Sequence, residues 1–402
     1  MKSLELFAGA GGLALGVSKA GFKHVGIVEW NSDACESMRK NVALNHPLMV
    51  RWPIHQADVR KLNYRDFGED LDLVAGGVPC QPWSQGGKHA GQIDNRNLFP
   101  EMIRAVREIR PKAVLIENVK GLLRDTFASY FEYITLSLAH PEVVPKPSED
   151  WTRHLRRLEA YHSSGSKNGL EYNVTFRLLN AADYGVPQKR ERVFIVAFRS
   201  DLACDWSFPE PTHSSQSLAI EKWSTGRYWK QHGLPMGSPR LGLRAVQRQL
   251  DKIDLFAANL RPWVTVRDAL RDLPPPRNSE GGKWRNHLFM PGARSYAGHT
   301  GSPLDEPAKT LKAGDHGVPG GENMLVQDDN SVRYFTIRES ARLQTFPDDY
   351  VFATSWTESM RQIGNAVPMR LAEIMAQRIG KHILIHNAKG QQNYGFGIVK
   401  AV

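Results

Sequence analysis

Apolar positions in the first 125 residues fall into two alternating rhythms. Short apolar runs at 4–7, 24–28, 71–76 and 112–117 are each bounded by glycine, proline or an acid, and runs of that length and setting predict strands. The segments between them carry a helical period. Phe99, Met102, Ile103, Val106 and Ile109 make one apolar stripe, and Pro111 stops it. Strand and helix in alternation predict an α/β fold with a doubly wound, mostly parallel sheet. The rhythm breaks at 140–170. There PEVVPKPSED reads as a loop, 151–161 as a short basic helix and HSSGSKNG as a turn. Two more strands are expected near 171–179 and 192–198. From about 199 to 330 the periodicity is weak and Pro, Gly, Arg and Trp accumulate, which predicts a separate loop-rich domain. Helical period returns at Ile337, Ala341 and Leu343, and 369–379 reads as a final helix.

With 402 residues, 41% of them hydrophobic, the chain exceeds one typical domain. It contains no apolar run of eighteen residues, so no membrane span is expected. The opening MKSLELFAGAGG enters a strand and a glycine turn and lacks the regions of a signal peptide. Three widely spaced cysteines, Cys35, Cys80 and Cys204, offer neither a disulfide framework nor a metal site, which points to a reducing cytoplasm. The net charge of +10 is unevenly placed. Between Thr212 and Thr300 stand fourteen Lys/Arg against six Asp/Glu. Clustered basic residues are the electrostatic footprint of a phosphate backbone, and equally of a solubilising surface.

Candidate chemistry sits at strand ends. The first strand runs into Gly9-Ala10-Gly11-Gly12 and then a helix. Such a turn lets backbone approach a ligand, and the helix start presents free N–H groups. Glu29 ends the second strand, where an acid can hold ribose hydroxyls, and Asp58 could accept from an adenine amino group. Phe7 and Trp30 could sandwich the adenine ring. Those features alone fit a NAD-binding enzyme as well. The next strand runs into Val78-Pro79-Cys80-Gln81-Pro82, which puts a proline-aimed thiol at the carboxyl end of a central strand, followed by a glycine-rich, cationic stretch at 85–91. Glu117 closes the neighbouring strand at the same edge. In a strand, Gln188, Arg190 and Arg192 would share one face.

These elements occur together in the order of a known family. The segments ELFAGAGGLALG (5–16), VEWN (28–31), GGVPCQPWSQGGK (76–88), IENVKGL (116–122), AADYGVPQKRERV (181–193), RESARLQTFPDDY (338–350) and QIGNAVPMRLA (362–372) closely resemble those of the DNA (cytosine-5) methyltransferases of the bacterial restriction-modification type. The resemblance spans almost the whole chain. It implies a Rossmann-like, S-adenosylmethionine-dependent catalytic domain and a smaller target-recognition domain. The expected bounds are 1–198 and 336–402 for the catalytic domain, its last helix returning beside the first, and 199–335 for target recognition. It implies that Phe7, Gly9, Gly11, Glu29, Trp30, Asp58, Leu98, Asn365 and Ala366 bind S-adenosylmethionine, with no metal. Cys80 is then the nucleophile, Glu117 binds and protonates the base, and Arg192, with Arg190 nearby, supports the ring carbonyl. The implied partner is double-stranded DNA, with room for a cognate restriction endonuclease encoded nearby. The implied state is a cytoplasmic monomer, associated with the nucleoid through DNA.

Three rival readings share parts of this pattern. A NAD-dependent oxidoreductase would share the first strand, turn and acid but has no use for the Pro79-Cys80-Gln81 and Glu117-Asn118-Val119 pair. A non-catalytic DNA-binding relative would not need every catalytic group. The transfer-RNA branch of the same family is marked by a Cys-Phe-Thr element, which this sequence lacks.

Overall fold

The first strand, β1 (Lys2–Leu6), buries Ser3 to Leu6 on both faces, as expected of a central strand covered by helices on each side. A computed structural model describes residues 1–79, 97–165, 169–236, 243–251, 254–279, 283–296, 300–314 and 323–394. After β1 come α1 (Gly12–Lys19), β2 (Lys23–Glu29), α2 (Ser32–Ala43), β3 (Ile54–Gln56), β4 (Leu73–Gly77), α3 (Phe99–Ile109) and β5 (Ala113–Val119). Next are α4 (Ala128–Ala139), α5 (Trp151–Ser163), β6 (Tyr172–Asn180) and β7 (Glu191–Arg199). The seven strands form one sheet in the order β3-β2-β1-β4-β5-β7-β6. Pairings from β3 to β5 are parallel, and β7 runs antiparallel to β5. Strand order reverses between β1 and β4, so the carboxyl ends of those strands open the crevice in which such sheets bind ligands.

Most of the stripe on α3 is buried against this sheet: Phe99, Met102, Val106 and Ile109 are each at most 1% exposed, while Ile103 is half-buried. Each such side chain contributes about 1.5–3 kcal/mol relative to exposure. The helix ends where Arg110 turns left-handed (φ 56°) ahead of Pro111. Gly76 is required by close approach, since a Cβ there would lie 2.6 Å from the Leu6 carbonyl and 2.8 Å from the Met102 methyl. α4 was not foreseen: tyrosine, threonine and serine interrupt its apolar face, and Ser137 is itself buried.

By contacts the chain divides into two units. The first is Met1–Leu178, Glu191–Pro209 and Ala372–Val402, and the second is Leu179–Arg190 and Glu210–Leu371. The second unit thus takes in 179–190 and 336–371, and the first takes in 199–209. Within the second unit lie β8 (His213–Ser214), the short helices α6 (Ser215–Ala219), α7 (Arg227–Gln231), α8 (Leu243–Leu250), α9 (Leu255–Ala258) and α10 (Val266–Leu270), and β9 (Arg261–Pro262), which pairs with β8. It also holds a small sheet of β10 (Ser302–Pro303), β11 (Met324–Val326) and β12 (Val332–Tyr334), followed by α11 (Ile337–Leu343) and α12 (Trp356–Asn365). One hydrophobic cluster in it packs Trp223, Leu234 and Trp263 against Leu218, Tyr228 and Trp229.

The last helix, α13 (Met369–Tyr394), runs well past the residue 379 expected from its period. In the first unit its Glu373 pairs with Lys19 of α1 (3.1 Å), and Gly380 packs near Met1 and Phe22. Among the described residues no helix is long and apolar enough to cross a membrane.

Candidate active site

The glycine turn after β1 is built from left-handed backbone: Phe7 has φ 57°, Gly9 54° and Gly11 80°. Gly9 faces open space, with nothing within 4 Å of where a Cβ would stand. Gly11 starts α1 and has Trp52 and Met38 against it. Glu29, at the end of β2, locks the turn. Its Oε2 accepts from the Gly9 N–H and its Oε1 from the Asn31 N–H, each at 2.7 Å. Each oxygen keeps a second lone pair for another donor. Trp30 beside it is 63% exposed, and the Arg60 guanidinium lies 5.6 Å over its ring. Asp58 accepts charge-assisted bonds from Arg60 Nε (2.9 and 3.0 Å) and Nη2 (2.8 Å), and these hold its carboxyl below the usual range. Phe7 and Leu98 are half-buried against the main core, Leu98 as the residue that opens α3. One edge of the first unit therefore gathers Phe7, Gly9, Gly11, Glu29 and Trp30.

One strand over, β4 and β5 pair so that Gly77 stands opposite Glu117. A Cβ on Gly77 would lie 3.5 Å from Glu117 Oε2, so the missing side chain leaves room beside that carboxyl. Glu117 is buried and forms an ion pair with Arg192 of β7 (Nε to Oε1, 2.9 Å). Antiparallel register places Arg192 opposite Val119. Burial lowers the Arg192 pKa from its ordinary value, and Glu117 opposes that shift. The next residue, Asn118, faces its amide to β4 and donates to the Val78 carbonyl (3.1 Å), while its Oδ1 accepts from the Val119 N–H. The end of β4 is thereby tied to the end of β5 just before Pro79. Cys80 follows directly and, with the cationic stretch at 85–91, lies outside the described residues.

The shared face expected for Arg190 and Arg192 assumed a strand through both, and Arg190 lies outside it. β7 begins at Glu191, so strand alternation does not reach Arg190. Arg190 is 1% exposed in the second unit. It donates through Nη1 to the Leu311 carbonyl (3.2 Å) and through Nη2 to those of Gly364 (2.8 Å) and Ala366 (2.9 Å). Gln188 is buried with it, accepting from the Leu311 N–H and donating to the Leu343 carbonyl. Asn365 closes α12 and Ala366 follows it, so the two residues sit on a turn that Arg190 grips.

Two of the charges counted as a surface footprint are engaged in ion pairs within the unit. Lys222 is 4% exposed and donates to the Asp305 carbonyl and Glu306. Arg267 pairs with Asp305 and Asp328. Lys230, Arg261, Arg271, Arg285 and Arg294 remain exposed.

The C-5 cytosine-specific DNA methylase family profile matches residues 1–141 and 156–381. Type II methyltransferase M.NgoMIV of Neisseria gonorrhoeae is 32% identical over 390 residues, covering 96% of this chain and 99% of the relative. Type II methyltransferase M.Eco47II of Escherichia coli is 32% identical, covering 92% and 76%. Among solved structures, a DNA modification methyltransferase encoded within an E. coli prophage aligns with a TM-score of 0.58 at 22% identity, over 96% of this chain and 99% of that one. Spodoptera frugiperda DNMT2 aligns with 0.53 at 16%, over 94% and 99%. At these identities the structures speak for the fold.

Proposed function

The chain belongs to the C-5 cytosine-specific DNA methylase family and is a DNA (cytosine-5) methyltransferase, and from that premise we propose that it moves the methyl of S-adenosylmethionine to a flipped-out cytosine through a covalent adduct on Cys80. The observation that carries this reading is the Glu117–Arg192 pair, buried beside the glycine end of β4 one residue from the clamp on Val78.

The donor supplies an electrophilic methyl on a sulfonium. The residues around the β1 turn suit it. Gly9 leaves open approach, Glu29 has lone pairs left for a ribose diol, and Trp30 presents an exposed ring. Arg60 stands on that ring and on Asp58, so an adenine held there displaces or shares Arg60. Asn365, Ala366 and Leu98 complete the donor ligands by the family resemblance.

Carbon 5 of cytosine is a weak nucleophile. Addition of the Cys80 thiolate to carbon 6 forms a carbon–sulfur bond, opens the carbon 5–carbon 6 double bond and makes carbon 5 nucleophilic, so that it would take the methyl as the donor's methyl–sulfur bond breaks and the neutral thioether leaves. Glu117 binds ring nitrogen 3 and Arg192 supports the ring oxygen as charge develops there. A base then takes the carbon 5 proton, the carbon–sulfur bond breaks and the thiolate is restored. A stacked base cannot reach these groups, so the cytosine leaves the helix, at a cost of a few kcal/mol. Double-stranded DNA is the substrate on this reading, with residues 199–335 choosing the site, and the setting is a restriction-modification system. Bisulfite sequencing of DNA from cells expressing the chain tests it. Protection of one cytosine within a fixed sequence is expected, and uniform conversion would overturn it.

A further inference from the structure

Arg190, expected near Arg192 at the ring carbonyl, is engaged with main-chain carbonyls of the second unit. Arg190 is enclosed, with its guanidinium on three main-chain carbonyls, two of which flank Asn365. The same turn is held from a second side: Gln344, also buried, donates through Nε2 to the carbonyls of Ile363 (2.7 Å) and Ala366 (3.2 Å). From a third side the Lys312–Ala313 backbone crosses so closely that a Cβ on Gly364 would collide with it. That crossing segment is itself fixed. Gln188 Oε1 accepts from the Leu311 N–H (3.0 Å), and Asn323 makes a paired contact with the Lys312 N–H and carbonyl (3.0 and 2.8 Å). Carbonyls at a helix end have no intrahelical partner. A planar, permanently charged fork is the side chain suited to gather several of them without water.

We propose that Arg190 is a positioning residue which sets the backbone of the Gly364–Ala366 turn, and with it the affinity for the methyl donor, and that it does not contact the cytosine. This rests on the reading above that Asn365 and Ala366 belong to the donor site. Arg192, on the Glu117 pair, is left as the arginine of the reacting base.

The test is calorimetric binding of S-adenosylhomocysteine, which needs no turnover, together with steady-state kinetics on duplex DNA. The proteins are wild type, Arg190→Lys, Gln344→Met and Asn365→Ala. A lysine ammonium cannot span the three carbonyls, and methionine keeps the volume of Gln344 without its donor. Both variants are expected to weaken binding about tenfold, the effect of roughly one lost buried hydrogen bond. The kcat at saturating donor should stay within about threefold of wild type on the same grounds. A role in stability alone would lower the fraction of sites titrated and leave the affinity of the rest unchanged, which would overturn the proposal. So would a Lys variant with wild-type affinity and a collapsed kcat, the signature of ring contact. Asn365→Ala separates the premise. If it weakens binding and the Arg190 and Gln344 variants do not, positioning is wrong. If it changes nothing, the turn is not a donor site and the proposal falls with that reading. Should Arg190→Lys fail to fold, Gln344→Met decides alone.

Discussion

At the residue scale the Glu117–Arg192 pair is the most informative contact, because it links a strand end to a role. Glu117→Gln keeps an acceptor for Arg192 and so should fold. It is expected to lower kcat by about 10²–10⁴, the usual worth of a positioned proton donor. Donor affinity should be untouched, so a variant with normal kcat would remove Glu117 from the chemistry. A second residue-scale prediction concerns Glu5, which β1 buries completely. Burial drives its pKa well above the ordinary carboxyl value, opposed only by the backbone at Ala14. The folded state therefore keeps a proton that the unfolded chain gives up. The stability at stake is fully present below the unfolded value of about 4.3 and is lost as pH rises toward the folded one. Glu5→Gln should melt higher than wild type, by a margin that grows from pH 5 to pH 8. Parallel melting curves would show that Glu5 carries no such linkage.

At the element scale the sequence and the structure can be compared. The strands at 24–28, 71–76 and 112–117 and the α3 stripe were legible because apolar period and breakers agree there, and each buries the face its pattern names. α4 was not, since Ser137 and the tyrosines blur its apolar face. The tasks of Gln188 and Arg190 were not legible either. Alternation assumes a strand, yet β7 starts at Glu191, and the carbonyls that hold Arg190 come from residues over 120 positions away. Likewise Asn118 read as part of a motif, while its clamp on Val78 is visible only through strand pairing. Asn118→Ala would leave that buried carbonyl unpaired. Its expected cost is about 1–3 kcal/mol in chemical denaturation, with a drop in kcat from the loosened end of β4. An unchanged midpoint and kcat would mean the clamp has no role.

At the scale of the whole molecule the question is how charge and domains serve DNA. Lys222 and Arg267 are paired internally, so the count of basic residues overstates the surface, though exposed arginines and lysines persist in the same segment. DNA affinity is expected to fall at least about tenfold between roughly 50 and 200 mM salt, because counterion release is less favourable at higher salt. A chimera carrying residues 199–335 from a relative of different specificity should methylate the donor's site. Methylation at the original site would place specificity elsewhere. The measurement closest to the core of the mechanism uses duplex DNA with 5-fluorocytosine at the target position. Fluorine cannot leave as a proton does, so the adduct should accumulate in the presence of S-adenosylmethionine, survive denaturation and map by peptide mass spectrometry to Cys80. Cys80→Ser should form none while still binding donor. An adduct on Cys35 or Cys204, or methylation of normal DNA by Cys80→Ser, would contradict the assignment.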